Sequence, residues 1–269
     1  MRPIAPLGRR RVTLTDSGDV GAYRVLRVAD RHGPLPAPGQ FYMLAAVQRW
    51  GGGDDERPYL PRAFSFLSAE GDALGFMLED VGPGTRRLCE LGAGEELWLT
   101  GPLGNGFRAP HGGRRALLAG GGVGVPPLSA WARELAGSGG APLALLGFRD
   151  REHAAGAAVV DSAPVQVATD DGSVGHHGRV TELLAAELAR DARAVVYSCG
   201  PPAMLEAVRA LCAEHDVPAQ LALEAGMACG FGACYGCVVP VRDGGYVRLC
   251  VDGPVIDADR VERVPQEAH

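Results

Sequence analysis

In the first part of the chain, residues 1–112, apolar residues occur in short runs separated by glycine, proline and charged residues. Residues 20–28, 41–47, 64–68, 73–78 and 98–100 have the residue content of strands. The last of these runs is preceded by a predicted short helix at 86–91, and Glu70-Gly71-Asp72 lies where a hairpin turn is expected. Short, evenly spaced strands of this kind predict an antiparallel barrel or sandwich.

The rhythm changes in residues 113–223, where strand-like and helix-like segments alternate. The predicted strands are 116–119, 143–148, 165–169 and 194–197, and the predicted helices are 128–135, 180–188 and 201–214. Alternation of this kind predicts a parallel sheet with helices on both faces. The remaining residues, 224–269, show little regular periodicity and are too few to build a large core, so a metal centre is the expected stabilising element. We therefore predict three domains with these boundaries.

Composition narrows the function. The 269 residues include 39 glycines and 20 prolines, which excludes a helical bundle. The net charge is −6, and no basic stripe with interleaved aromatic residues occurs, so nucleic-acid binding is not expected. The best candidate for a membrane span, 116–132, is uncharged but broken by glycines and prolines, and residues 1–6 have no signal-peptide core, so we expect a cytoplasmic protein with no membrane span. In a reducing compartment, seven cysteines indicate metal or redox ligands rather than disulfides.

Four of the cysteines form the strongest motif in the sequence. Cys229-x4-Cys234-x2-Cys237, followed after twelve residues by Cys250, has the plant-type [2Fe–2S] ligand spacing. The glycines at 230, 232 and 236 permit a positive φ and let backbone N–H groups approach the sulfurs. A structural zinc site and unligated thiols are the alternatives, although zinc ligands more often come as two separated pairs. Cys89 and Cys212 lie on apolar faces of predicted helices and are interpreted as packing residues.

Two segments indicate a nucleotide site in the second domain. The glycine-rich turn from Gly120 to Pro127 follows a buried strand and opens a helix, a context that suits a pyrophosphate on backbone amides. The turn does not match G-x-G-x-x-G, and a purely structural turn is the alternative. Cys199-Gly200-Pro201 comes at the end of the last predicted strand, where open parallel sheets bind ligands. Cys199 is interpreted as functional, the alternative being a small buried residue.

Two segments of the first domain contain residues suited to binding a flavin. Arg62-Ala63-Phe64-Ser65 lies on a predicted strand, and its arginine and aromatic side chains suit a phosphate and a ring, respectively. Gly82-Pro83-Gly84-Thr85 opens the short helix, where the Thr85 hydroxyl and nearby amides can bind phosphate.

Taken together, these segments resemble the ferredoxin–NADP reductase-like proteins, and most closely the electron-transfer subunits of NAD-dependent (class 1B) dihydroorotate dehydrogenases. The motifs that carry this resemblance are Arg62-x-Phe64-Ser65, Gly101-Pro102-Leu103-Gly104-Asn105-Gly106-Phe107, the Gly120–Pro127 turn, Thr169-Asp170-Asp171-Gly172-Ser173, Cys199-Gly200-Pro201, the Met227–Cys234 segment and Cys250-Val251-Asp252-Gly253-Pro254-Val255. They occur in the family's order over nearly the whole chain.

The resemblance implies an FAD-binding barrel, an NAD-binding α/β domain and a [2Fe–2S] module. The FAD-contacting residues that it implies are Arg62, Ala63, Phe64, Ser65, Leu78, Glu79, Asp80, Gly84 and Thr85, with Ser65 near the reactive flavin nitrogen. The implied nicotinamide-site residues are Gly121, Gly122, Gly124, Cys199, Gly200 and Pro201, with Cys199 and Ser65 as the catalytic pair. The implied cluster ligands are Cys229, Cys234, Cys237 and Cys250.

The resemblance also implies a partner and a direction of electron flow. An FMN-containing catalytic subunit would oxidise dihydroorotate to orotate in pyrimidine biosynthesis, and its electrons would pass through the cluster and FAD to NAD. The implied assembly contains two copies of each subunit. The alternative is an NAD(P)H-dependent reductase that serves an oxygenase or a sulfhydrogenase-type partner. Two segments depart from the family: the loop 48–59 is longer, and Ala225-Gly226 replaces charged residues. Arg149 and Arg151 favour a 2′-phosphate, whereas Asp150 opposes one, so the choice between NADH and NADPH stays open.

Overall fold

The computed structural model describes residues 8–51 and 58–265. Its first part is a curled antiparallel sheet with the strand order β4-β3-β7-β1-β2-β6-β5. The strands are β1 (Arg10–Val20), β2 (Tyr23–Ala29), β3 (Phe41–Ala46), β4 (Arg62–Ser65), β5 (Ser68–Glu70), β6 (Ala73–Leu78) and β7 (Glu96–Leu103). Helix α1 (Pro83–Cys89) connects β6 to β7. The predicted antiparallel sheet is thus confirmed, and part of the long loop, residues 52–57, lies outside the described residues.

Two predicted strands of this sheet are divided in the structure. The segment 20–28 is broken because Gly21 adopts a φ of +56°, which ends β1 and begins a hairpin turn before β2. The segment 64–68 separates into β4 and β5, which lie at opposite edges of the sheet. The sequence analysis predicts no strand over the first ten residues of β1, because most residues of this segment are polar or charged. Only Val12 and Leu14 of this strand are fully buried.

The second part is a mostly parallel sheet with helices on both faces, as predicted. Its strands include β8 (Arg115–Gly121), β9 (Leu143–Phe148), β10 (Val165–Thr169), β11 (His176–His177), β12 (Ala194–Cys199) and β13 (Ala219–Ala222). The helices are α2 (Val125–Gly137), α3 (Arg151–Ala154), α4 (Val180–Arg190) and α5 (Pro202–Glu214). Consecutive residues of β8 face opposite sides: Leu117 packs in one core cluster with α4 and α5, whereas Leu118 packs in another with α2.

The C-terminal segment is joined to both sheets. It forms the hairpin β14 (Val238–Pro240) and β15 (Tyr246–Arg248), and then β16 (Val255–Asp257) pairs antiparallel with β13 at the edge of the parallel sheet. On its other side, the Asn105 amide donates to the carbonyl oxygens of Val251 and Asp252 at 3.1 and 3.2 Å. The cysteine loop is therefore held between the two larger sheets. No helix in residues 8–51 and 58–265 is long and apolar enough to cross a membrane.

Candidate functional site

The four motif cysteines form two pairs beside the barrel sheet. Cys237 Sγ and Cys250 Sγ are 3.2 Å apart and buried, whereas Cys229 is half-buried and Cys234 is exposed. The backbone N–H groups of Phe231 and Cys234 donate to Cys229 Sγ at 3.5 and 3.4 Å. The pairing therefore offers two cysteine sulfurs on an outer side and two on an inner side.

Glycines wrap the cysteine loop tightly, although one of the three predicted positions is wrong. Gly230 and Gly232 adopt φ values of +79° and +84°. A Cβ at Gly230 would lie 2.7 Å from Cγ of Met43, so the loop rests directly on β3. The third positive φ, +59°, belongs to Tyr235 and not to Gly236. Gly236 instead contributes a backbone N–H that donates to Cys234 Sγ at 3.5 Å.

The surroundings of the sulfurs fit an iron–sulfur cluster. Burial raises the pKa of the Cys229 thiol, but hydrogen bonds from the backbone N–H groups outweigh burial and lower that pKa to about 6. Burial and the neighbouring Cys237 raise the pKa of Cys250 to about 12. Within the described ranges, no three His, Cys, Asp or Glu side chains converge as the ligands of one metal ion would. Two neighbouring pairs of cysteine sulfurs are a ligand set that a two-iron cluster can use.

The flavin candidates gather around the start of α1. Arg62 is half-buried, and a Cβ at Gly84 would lie 2.6 Å from its Nε, so the guanidinium crosses directly over the first turn of the helix. Arg62 also donates to the carbonyl oxygen of Leu60 at 2.6 Å. On the same strand, Ala63 is exposed while Phe64 and Ser65 are half-buried. A cationic group over a glycine backbone is a fitting cradle for a phosphate.

The Thr85 hydroxyl forms hydrogen bonds within its own turn. Its hydroxyl accepts from the N–H groups of Val81 and Gly82 at 2.9 and 3.0 Å, and donates to the carbonyl oxygen of Gly82 at 3.0 Å. The side chain therefore fixes the Val81–Thr85 turn, and its contact with a phosphate stays a prediction. Before this turn, Leu78 is fully buried and Asp80 is exposed and paired with Arg86.

A cleft of about 440 Å³ opens between the two sheets. From the parallel sheet it is lined by residues that include Gly121, Gly122, Pro201 and Met204. The glycine turn continues β8 through a 3-10 turn (Gly122–Gly124) into α2. A Cβ at Gly124 would lie 2.3 Å from the carbonyl oxygen of Cys199, so the turn and the end of β12 are in direct backbone contact. The structure thus brings the two predicted nicotinamide segments together.

Cys199 lies behind the cleft rather than on its wall. It is 5% exposed and packs in the core cluster that contains α2. Burial, and to a lesser degree Glu224, raise the pKa of its thiol, so the group stays protonated at neutral pH. Cys212 lies in the core, as predicted for a packing residue, and Cys89 is half-buried at the end of α1.

The cleft also contains residues that the sequence analysis missed. From the barrel side it is lined by Tyr23, and from the other side by His153, Asp170, Arg179 and Met204. Met204 follows Pro201 by three positions on α5, and this helical spacing was a usable signal. Tyr23 carries no comparable signal, because an aromatic residue at a strand start is usually a core residue.

The arrangement defines a class of protein. A curled antiparallel sheet, a parallel nucleotide-binding sheet and a cysteine-rich module form the ferredoxin–NADP reductase-like fold with an added iron–sulfur module. Among solved structures, the chain is similar to one described in work on the NADH-dependent reduced ferredoxin-NADP oxidoreductase. That match has a TM-score of 0.77 at 21% identity over 94% of this chain and 90% of that one. It is also similar to the ferredoxin reductase in carbazole 1,9a-dioxygenase, with a TM-score of 0.68 at 22% identity, over 78% and 66% of the two chains. At this identity the two matches show the fold alone.

Sequence comparison gives the family. Residues 224–262 match the iron–sulfur cluster binding domain of dihydroorotate dehydrogenase B. The chain is 35% identical to the dihydroorotate dehydrogenase B (NAD(+)) electron transfer subunit of Geobacillus thermodenitrificans, over 95% of this chain and 99% of that protein. It is 40% identical to the subunit of the same name from Listeria monocytogenes, over 84% and 87%. The chain belongs to the family of electron transfer subunits of NAD-dependent dihydroorotate dehydrogenase B. This family corresponds to the first of the two functions that the sequence left open, the electron-transfer subunit rather than the reductase.

Proposed function

We propose that the chain carries electrons between a dihydroorotate-oxidising catalytic partner and NAD, using a [2Fe–2S] cluster and FAD. The observation that carries this proposal is the arrangement of the four cysteines as an outer and an inner pair in a loop that rests on the barrel sheet. A loop of this kind provides a one-electron carrier between a surface and the flavin domain.

The two cysteine pairs would have different surroundings. Cys229 and Cys234 lie on the outer side of the loop, next to the exposed side chains of Phe231 and Tyr235. Cys237 and Cys250 belong to the same buried cluster as Phe41 and Met43 of β3. The outer pair would therefore lie nearer to the solvent, from which a partner would approach, and the inner pair is packed in the core.

The barrel residues would hold FAD. Arg62 and the backbone of Gly84 and Thr85 would bind the pyrophosphate, Phe64 would cover the ring system, and the Ser65 hydroxyl would donate a hydrogen bond near the reacting flavin nitrogen. The remaining proposed contacts are Ala63 and the backbone of Leu78, Glu79 and Asp80. When bound, FAD exchanges electrons singly with iron–sulfur clusters and in pairs with NAD.

The cleft would hold NAD. The Gly121, Gly122 and Gly124 turn would bind the pyrophosphate through backbone N–H groups at the start of α2, and Gly200 with Pro201 would shape the nicotinamide end. Cys199, protonated in its buried position, would act as a neutral packing and hydrogen-bonding group behind the reacting ring. It supplies no thiolate.

The partner would be an FMN-containing catalytic subunit, in an assembly of two copies of each chain that serves pyrimidine biosynthesis. We propose a cytoplasmic location, because cluster assembly needs the cysteines in their reduced form.

The test is electron transfer by the complex of both subunits. Cys234→Ser should abolish NAD reduction by dihydroorotate and lower the iron and acid-labile sulfide content, while leaving FAD content and NADH-to-dye transfer close to wild type. Cys89→Ser, on α1 and away from the loop, is the matched control and should behave as wild type in all of these measurements. Dihydroorotate-dependent NAD reduction at the wild-type rate in Cys234→Ser would contradict the proposed ligand set. Wild-type protein without iron, sulfide or FAD would contradict the function itself.

A further inference from the structure

A charged contact spans the cleft between the two sheets. Arg149, which follows β9, donates to the carboxylate of Glu79, which follows β6 of the barrel. The Glu79 side chain is 18% exposed and that of Arg149 is 60% exposed. Both residues line the same cleft as Gly121 and Pro201. The cationic group is therefore at the proposed dinucleotide site, but a carboxylate of the other sheet neutralises it.

The same guanidinium is suited to phosphate. Carboxylate and phosphate oxygens present similar acceptor geometry to an arginine side chain, so either can occupy it. The neighbouring Arg151 differs from Arg149 in its position and in its partner. It does not line the cleft, and it donates to the carbonyl oxygen of Ser173 at 2.6 Å.

An unpaired tyrosine hydroxyl lies on the barrel side of the cleft, the side that also carries Glu79. Tyr23 is 1% exposed, and its hydroxyl has no hydrogen-bond partner among the described residues. The ring is fixed edge-on against His153, with ring centroids 5.7 Å apart. Burial first, and then the negative charge of nearby Glu79, raise the pKa of this hydroxyl, so it is a protonated donor close to the carboxylate. A buried donor without an acceptor is costly, which indicates a second state in which the hydroxyl is paired.

We propose that Arg149 exchanges partners when the cleft fills: it is held by Glu79 in the empty cleft and binds the diphosphate of the dinucleotide in the loaded one. Glu79, once released, accepts a hydrogen bond from the Tyr23 hydroxyl. Glu79 thus competes with the ligand for Arg149 and sets the affinity of the site from the barrel side. The inference rests on the proposed function, because the ligand is NAD.

The test is the dissociation constant of NAD⁺, measured by calorimetry on the purified chain with its flavin and cluster. Glu79→Gln removes the competing charge and should tighten NAD⁺ binding by about threefold. Arg149→Met removes the phosphate-binding group and should weaken binding about 10- to 100-fold. Arg151→Met, the neighbouring control, should leave the dissociation constant unchanged.

Tyr23→Phe tests the second half of the exchange. Because the hydroxyl has no partner in the empty cleft, its removal should leave the unfolding temperature of the NAD-free protein unchanged or raise it. Binding of NAD⁺ should nevertheless weaken about fivefold, because released Glu79 then lacks the Tyr23 hydroxyl and is left with His153, whose Nε2 lies 3.4 Å from Glu79 Oε1. A purely structural tyrosine would give the opposite pattern, with lower stability and unchanged binding.

Three results would overturn the inference. Weaker or unchanged binding in Glu79→Gln would mean that the carboxylate does not compete with NAD for Arg149. Equal dissociation constants for Arg149→Met and Arg151→Met would exclude Arg149 from the site. Unchanged binding in Tyr23→Phe would exclude the second pairing. In each of these cases, NAD⁺ binding by the wild-type protein would leave the proposed function intact. Wild-type protein that binds no NAD⁺ would overturn both the proposed function and this inference.

Discussion

A methyl group added at Gly124 would collide with the backbone at the end of β12. The new Cβ would lie 2.3 Å from the Cys199 carbonyl oxygen and 2.6 Å from the Gly200 nitrogen, and the shorter distance is about 1.1 Å below the 3.4 Å at which ordinary contact begins. Neither atom can rotate away, because both belong to the main chain. We therefore expect Gly124→Ala to reduce the free energy of unfolding by roughly 2–3 kcal/mol, the upper part of the range for overpacking.

The same displacement should act on the cleft. Separating the glycine turn from β12 by about 1 Å moves the proposed pyrophosphate and nicotinamide positions apart, and NAD⁺ binding should weaken about tenfold. FAD and iron contents should stay at wild-type levels, because Gly124 contacts neither site. Calorimetric unfolding should show a midpoint lower by about 4–12 °C for a chain of this size.

Gly137→Ala is the matched control. Gly137 is the last residue of α2, and beyond its chain neighbours and the backbone of its own helix no described atom lies within 4 Å of the Cβ that alanine would add. Alanine should leave the midpoint unchanged or raise it slightly, by up to about 1 kcal/mol in unfolding free energy, and leave NAD⁺ binding unaffected. If Gly124→Ala matched Gly137→Ala in both midpoint and NAD⁺ affinity, direct contact between the turn and β12 would be refuted.

Two further substitutions test local features of the fold. Thr85→Val should leave the N–H groups of Val81 and Gly82 without their acceptor, which should lower the free energy of unfolding by about 1–3 kcal/mol and cause loss of FAD on gel filtration. Thr85→Ser should keep the wild-type stability and the FAD. Equal stability and equal FAD retention in the two variants would argue against this role. The hydrogen bond from Arg115 lowers the pKa of Glu187 below its usual 4.5, so the stability that the pair contributes is present above that pH and is lost as the pH falls through the lowered pKa. Urea unfolding should therefore show Glu187→Gln about 1 kcal/mol less stable than wild type at neutral pH, with a difference that shrinks in acid; a difference independent of pH would contradict the ion pair.

The cysteine motif shows how far local sequence reaches. Ligand spacing is a property of a short segment, so the cluster loop could be recognised before any fold was known. Which residue would take the third positive φ could not, because Gly236 and Tyr235 are neighbours in the same tight turn and contacts across the turn decide between them. Tyr235 adopts the strained conformation, and its ring contacts the Arg248 guanidinium at 5.7 Å.

Buried strands and amphipathic helices were also predictable, because periodicity reports which side of an element faces the core. The segments 143–148 and 165–169 agree residue for residue with β9 and β10. The strand β1 was missed because it lies in a sheet with one face toward solvent, where polar residues outnumber apolar ones.

The amino-acid sequence by itself predicted most of the elements, the cysteine motif and the family, because each depends on residues close together in the chain or on similarity along its whole length. Only the tertiary structure decided what meets across the cleft. Tyr23, Glu79 and Arg149 come from β2 and from the ends of β6 and β9, and no pattern of spacing relates residues so far apart in the chain. Their meeting follows from the docking of one sheet against the other, which is set by packing over the whole interface.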